Sequence, residues 1–191
     1  MPSPPSFASK ASSYITGPHA PPLISATSSA PNATLDTLES PATPTLAEVR
    51  TLFDTSVLVA ALVDQLGNHE AAFRALQRYT SGENEGYCSS HTLAECYATM
   101  TALPVARRVS PEEARLLIEN TVAERLAVVS LAADDYRAVL GDVAALGLSS
   151  GAVYDALHAH CGRKERVDQI LTYNLVDFER FELDGIPVAA P

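Results

Sequence analysis

The chain has 191 residues, room for one ordinary domain with material left over or for two very small ones. Thirteen Lys and Arg face 23 Asp and Glu, and the formal net charge of −10 excludes a uniformly basic nucleic-acid coat while leaving room for a local basic groove. Apolar residues make up 47 %, enough for a real core. The longest purely apolar run, Val57–Val63, is far short of the ~20 residues a membrane helix needs.

Residues 1–48 hold nine of the 13 prolines, nine serines and a single lysine, with no spaced apolar pattern. Proline removes amide donors and serine competes for backbone hydrogen bonds, so this stretch is expected to be a disordered tail. No apolar segment follows Lys10 in the manner of a secretory signal. The tail reads as an extended linker or docking arm, as dispensable sequence, or as untranslated sequence upstream of a GTG start at Val49. Peptide mass data on the native protein separate these readings. Residues 49–191 are expected to form one domain, with 12 basic against 20 acidic residues, a net −8.

In chain order, Val49–Phe53 reads as a strand ending at Asp54, Thr55 and Ser56, all helix-capping types. A buried helix to about Leu66 follows, stopped by Gly67-Asn68, and then a helix over His69–Thr80. Tyr87–Ser89 is a short strand, and Ser90 caps a helix that Pro104 ends after Leu103. Ser110-Pro111-Glu112-Glu113 joins a capping box to a proline at the first helical position and starts a helix to about Glu124. Leu126–Leu131 is strand-like, Ala133–Leu146 helical, and a helix opening at Ser149-Ser150-Gly151 stacks Val153, Leu157 and Cys161 until Gly162. Gln169–Tyr173 reads as a strand, Asp177–Phe181 as one helical turn, and Ile186–Ala189 as a last strand. Strands alternating with helices make this an α/β fold with a mainly parallel sheet covered on both faces.

Ligands of open α/β sheets sit beyond the carboxyl ends of the strands. There stand Asp54 after the first strand, Glu95 one turn into the helix after the second, and Asn174 and Asp177 after the last long one. Asp155 lies half a turn from the apolar stripe of its helix and faces away from that packing. Each has an ordinary reading: Asp54 caps, Glu95 is a solvated helix acid, Asn174 and Asp177 suit a turn and a cap. Taken together, carboxylates converging on one crevice repel unless a cation neutralises them, and all-oxygen ligands favour Mg²⁺, with Mn²⁺ also suited. Asp54 and Asp155 are expected to bind it directly and Glu95 largely through water. There is no G-x-G-x-x-G, P-loop or G-x-S-x-G motif to support dinucleotide, nucleotide or serine-hydrolase chemistry. Cys88, Cys96 and Cys161 form no metal or redox motif and read as reduced thiols of a cytoplasmic protein.

Phe53-Asp54-Thr55-Ser56-Val57-Leu58-Val59 resembles the opening strand and helix of PIN domains, as found in VapC-type toxins. His91-Thr92-Leu93-Ala94-Glu95-Cys96-Tyr97 with Leu103-Pro104 resembles their second motif, Gly151-Ala152-Val153-Tyr154-Asp155-Ala156-Leu157 the third, and Leu171-Thr172-Tyr173-Asn174-Leu175-Val176-Asp177-Phe178 the fourth. The four occur in family order across residues 50–189. The resemblance implies a compact parallel-sheet nuclease fold, Mg²⁺-dependent endoribonuclease activity and a toxin held by a cognate antitoxin. It also implies a homodimer. It places Asp54, Glu95 and Asp155 in the metal site, with Asn174 where many relatives have Asp and with Asp177 partly substituting. The implied mechanism is in-line attack of metal-activated water on an RNA phosphodiester.

Thr55, Ser56 and Thr172 are placed to bind water or phosphate, although capping explains them equally well. Arg107-Arg108 and Arg163-Lys164-Glu165-Arg166 are the basic clusters that could hold RNA or merely solvate helix ends. His158 shares a helix face with Asp155, and both it and His160 read as ordinary core or surface histidines. The alternative to a nuclease is a non-catalytic module of the same fold that pairs with an antitoxin-like partner.

Overall fold

A computed structural model describes residues 48–191, so the expected tail lies outside the described residues, Glu48 apart. The elements in order are β1 (Arg50–Phe53), α1 (Thr55–Leu62), α2 (His69–Tyr79), β2 (Glu85–Ser89), α3 (Ser90–Ala102), α4 (Pro111–Leu117), β3 (Ala127–Val129), α5 (Ala133–Ala145), α6 (Ala152–Glu165), β4 (Gln169–Leu171), α7 (Leu175–Phe178) and β5 (Val188–Ala189). The strands form one sheet in the order β3-β2-β1-β4-β5, every neighbouring pair parallel. Parallel neighbours need long crossovers, which the helices supply.

Alternation along the strands assigns the two faces. Phe53, Cys88 and Leu171 enter a core with α1, α2, α3 and α4. Their immediate neighbours Leu52, Tyr87 and Ile170 point the other way, toward Cys161, Val167 and Phe178. Side chains alternate across a strand, so the sheet is apolar on both sides, as a fully covered parallel sheet must be. Each fully buried Leu, Phe or Ile contributes about 1.5–3 kcal/mol.

Several boundaries differ from the sequence reading for local physical reasons. The cap of α3 is Ser89, not Ser90: the Ser89 side chain accepts the Thr92 amide at 3.1 Å. Helix α6 does not stop at Gly162 but runs to Glu165, and Arg166 ends it in the left-handed region at φ 52°. Gly162 instead allows close packing, since a Cβ there would lie 3.2 Å from Ile170 Cδ1 of β4. The reciprocal Ser110–Glu113 capping box forms as expected. The helix it starts passes into a π-helical turn over Ile118–Ala123. The final helical turn begins at Leu175 rather than Asp177.

Chain order makes the right-hand and left-hand halves of the sheet diverge at its centre. From β1 the chain builds outward to β2 and β3, then returns to lay β4 and β5 on the other side of β1. The point where the direction reverses, beyond the carboxyl ends of β1 and β4, is where open α/β sheets leave a crevice.

Candidate functional site

Asp54 stands at that crevice, immediately after β1, its amide hydrogen-bonded to Leu171 O of β4 at 3.0 Å. Its carboxylate is only 3 % exposed. Oδ2 accepts hydrogen bonds from Ser56 Oγ (2.6 Å), the Ser56 amide (3.3 Å) and Thr172 Oγ1 (2.7 Å), while Oδ1 faces His158 Nε2 at 3.6 Å. The capping role read from sequence is therefore real, and it leaves Oδ1 directed at the His158 ring rather than at a backbone amide.

Glu95 reaches the same place from the second turn of α3. Its Oε2 accepts from Thr55 Oγ1 and lies against His158 Nε2, both at 2.8 Å. Burial opposes ionisation of this carboxyl, but His158, Thr55 and His91 outweigh it and hold it below the usual carboxylate range. His158, on α6, is 1 % exposed. Burial disfavours its imidazolium, yet the Glu95 hydrogen bond and the charges of Asp54, Glu95 and Asp155 prevail and raise it above an ordinary histidine. Its Nδ1 lies 3.4 Å from both Ser89 Oγ and Thr92 Oγ1, so β2 and α3 fix the ring from behind.

Asp155 is one turn before His158 on the same helix and is half-buried. Its carboxyl is pushed up to about 6, first by burial and then by the negative charges of Asp54, Asp177 and Glu95, with His158 opposing. Four acids from four separate elements thus act on one another through space. Asp177, in α7, also pairs with Arg180 at 3.0 Å. Asn174 is exposed at the head of α7; its amide donates to Thr172 Oγ1 at 2.9 Å, and its side chain caps nothing.

The structure brings Asp54, Glu95 and Asp155 to one crevice with Asp177 in electrostatic reach, as the sequence order suggested. Among the described residues, however, no three His, Cys, Asp or Glu side chains are drawn together tightly enough to form a ready metal cage. Thr55, Ser56 and Thr172 direct their hydroxyls inward onto Glu95 and Asp54 instead of outward to a ligand, because a buried carboxylate needs those donors. Arg107 is not brought to the crevice: it pairs with Glu113 at 3.0 Å and exchanges hydrogen bonds with Gln65 beyond the far end of α1, roughly 12 Å of helix from Asp54. Arg108 is exposed on the same loop. In the other basic cluster Lys164 pairs with Asp135 at 2.7 Å and Arg163 donates to Glu182 O.

His158 is the crevice residue that the sequence reading treats as an ordinary histidine. Its signal was present, three residues after Asp155 on one helix face, but a lone histidine among Ala, Leu and Cys is usually core. Only the approach of α3 shows that its partner is an acid.

Residues 51–182 match the PIN domain family. Ribonuclease VapC40 of Mycobacterium tuberculosis is 30 % identical over 129 residues, covering 68 % of this chain and 90 % of that protein. Ribonuclease VapC27 of the same species is 31 % identical over 115 residues, covering 60 % and 78 %. Among solved structures, VapBC2 from Rickettsia felis bound to a promoter DNA fragment superposes with a TM-score of 0.53 at 18 % identity, over 75 % of this chain and 99 % of that one. Mycobacterium tuberculosis VapC20, described as a Sarcin-Ricin loop cleaving toxin, gives 0.51 at 17 % over 63 % and 86 %. The family match spans the strands and helices that carry the four acids, and the chain belongs to the PIN-domain family.

Proposed function

We propose that this protein is a Mg²⁺-dependent endoribonuclease acting as the toxin of a toxin–antitoxin pair. The observation that supports it most is the meeting of Asp54 and Glu95, from β1 and α3, around His158 Nε2 at 3.6 and 2.8 Å, with Asp155 one turn away on the His158 helix. A crevice where four acids meet one buried histidine and a single arginine pair, at the sheet's switch point, fits a hard cation with an open, partly hydrated shell, which needs only one or two direct carboxylates. Asp54 Oδ1 and Asp155 would hold it directly, Glu95 through water, with Asp177 adding charge. A bound Mg²⁺ or Mn²⁺ would supply charge neutralisation at the phosphodiester oxygens and an acidified water.

The chain's own residues prepare this site. Ser56 and Thr172 fix the Asp54 carboxylate by Oδ2 and leave Oδ1 turned into the crevice. Thr55 and His158 do the same for Glu95 through Oε2, leaving Oε1 outward of that pair. Asn174 at the fourth position adds an amide that carries no charge, so the site's negative charge comes from Asp54, Glu95 and Asp155, with Asp177 partly substituting for the missing acid.

Relatives named ribonucleases support RNA as substrate, and solved neighbours that are toxin–antitoxin complexes support an antitoxin partner. No helix among the described residues is long and apolar enough to cross a membrane. Cys88, Cys96 and Cys161 are buried and unbridged, which is compatible with a reducing cytoplasmic location.

The test is RNA cleavage by the purified full chain with and without Mg²⁺ or Mn²⁺. Cleavage that requires the metal and is lost in Asp54→Asn is expected. Undiminished cleavage by Asp54→Asn would overturn the metal assignment. A wild type that never cleaves would favour a non-catalytic module that only pairs with its partner.

A further inference from the structure

Beside the acids lies an aromatic pair to which the reading above assigns nothing. The His91 and Tyr154 rings stack with centroids 4.9 Å apart and planes 19° from parallel. Tyr154 immediately precedes Asp155, and His91 lies one turn before Glu95, so each belongs to an element that delivers an acid to the crevice. His91 Nε2 lies 4.0 Å from Glu95 Oε1, and the His91 ring centroid is 6.5 Å from that of His158. The pair therefore forms one wall of the site itself.

Two features of the pair are unusual for packing alone. Tyr154 is 45 % exposed although one of its faces is covered by His91, so a large flat apolar surface stays open to water. His91 Nε2 is buried and has no hydrogen-bond partner among the described residues. Single exposed aromatics are common on protein surfaces, so what marks Tyr154 is its place, stacked on a ring that faces Glu95 at the rim of the acids.

We infer that Tyr154 is a stacking platform for an unpaired base next to the scissile phosphate, with His91 as its rigid backing. This rests on the ribonuclease reading and deepens it, because it names the residues that would hold the nucleotide beside the acids. Unpaired bases are held by stacking on aromatic side chains, and each such contact is sequence-tolerant because every base has a flat face. A base inside a duplex is already stacked on both sides and has no face to offer. An acidic protein gains most from such a contact, since stacking holds the nucleotide without needing a cation beneath it.

The chain contains no tryptophan, so Tyr154→Trp in the full chain creates a single fluorescent reporter on the platform. Titration with a mixed-sequence single-stranded 12-mer oligoribonucleotide should quench it, and the same oligomer annealed to its complement should not. In cleavage assays Tyr154→Ala should raise KM about tenfold with kcat changed much less, while Tyr154→Phe and Tyr154→Trp keep KM near wild type. The rise in KM without a matching fall in kcat separates stacking from a general loss of structure, which would lower the active fraction and so the apparent kcat. Cleavage with unchanged KM in Tyr154→Ala, or no quenching by single strands, overturns the platform. So does a variant that loses only binding to a protein partner. Quenching by single strands without any cleavage by wild type would instead overturn the nuclease reading and leave the platform standing.

Discussion

His158 Nε2 lies 2.8 Å from Glu95 Oε2 and so ties the third motif of the site to the second through a ring that is almost wholly buried. The pair joins α6 to α3 across the end of the sheet, with Asp54 Oδ1 3.6 Å away on the third side. The imidazole places a hydrogen-bonding ring nitrogen between two acids that would otherwise face each other.

Removing the ring should be costly. His158→Ala leaves Glu95 and Asp54 facing each other without it and opens a cavity beside Ser89 and Thr92. Breaking one partner of a buried pair costs about 3–5 kcal/mol; Glu95 keeps some access to water, so a loss of about 3 kcal/mol is expected from urea unfolding. Glu95→Gln should cost clearly less, because the amide keeps a polar contact with Thr55 and removes a charge. Equal losses for the two variants would show that the cost lies in the Glu95–His158 contact alone, with nothing added by the cavity or by Asp54.

Asp155 predicts the opposite sign. Its folded carboxyl is raised to about 6 from the ordinary 3.8, so the folded state holds a proton that the unfolded state has released over pH 4 to 6. Wild-type stability is unaffected by this group below about pH 4, falls as pH rises through that window, and stays reduced above about pH 6. Asp155→Asn cannot ionise and should therefore stabilise the metal-free protein by about 1 kcal/mol at pH 7.5, after allowance for the group's partial exposure. The gain should vanish at pH 4. Unfolding midpoints in a chelator at the two pH values check this, and a gain that persists at pH 4 would point to packing rather than charge.

The strands and acids were legible for different reasons. Apolar Leu52-Phe53 running into Asp54 marks a strand end by composition alone, and the order of Asp54, Glu95 and Asp155 among strands and helices places them at one end of a parallel sheet. The direction of a hydroxyl is not encoded in spacing. Thr55, Ser56 and Thr172 look the same in sequence whether they face phosphate or a carboxylate, and only the fold shows them bound to Glu95 and Asp54. His158 and Gly162 failed for the same underlying reason: a buried histidine and a mid-helix glycine each read by default as core and as a stop. Their roles depend on what α3 and β4 bring up against them.

Arg166 offers a simple stabilising change. It ends α6 at φ 52° and ψ 50°, a conformation that crowds a Cβ against the neighbouring carbonyl and that glycine adopts freely. Its side chain is exposed, and its carbonyl contact to Arg50 is made by the backbone. Arg166→Gly should raise stability by about 0.5–1 kcal/mol, the backbone relief being partly offset by the greater freedom of glycine in the unfolded chain. Thermal unfolding reads this as a rise of a few degrees, and a fall would mean that the Arg166 side chain does more than its exposure suggests.

Gly86 predicts a loss that a second change should repair. It lies inside β2, where an added Cβ would sit 2.3 Å from Leu126 Cδ2 and 2.8 Å from Thr80 Cγ2. Both distances are below any real contact, so Leu126 or the strand must move, and glycine within a strand marks this kind of close approach. Gly86→Ala should destabilise by about 1–3 kcal/mol through overpacking. Leu126→Ala removes the nearer of the two obstacles, so Gly86→Ala should cost less in that background than in wild type. The difference between the two costs is the coupling energy of a double-mutant cycle. If the cost is the same in both backgrounds, the penalty resides in the strand backbone and not in the meeting of β2 with Leu126.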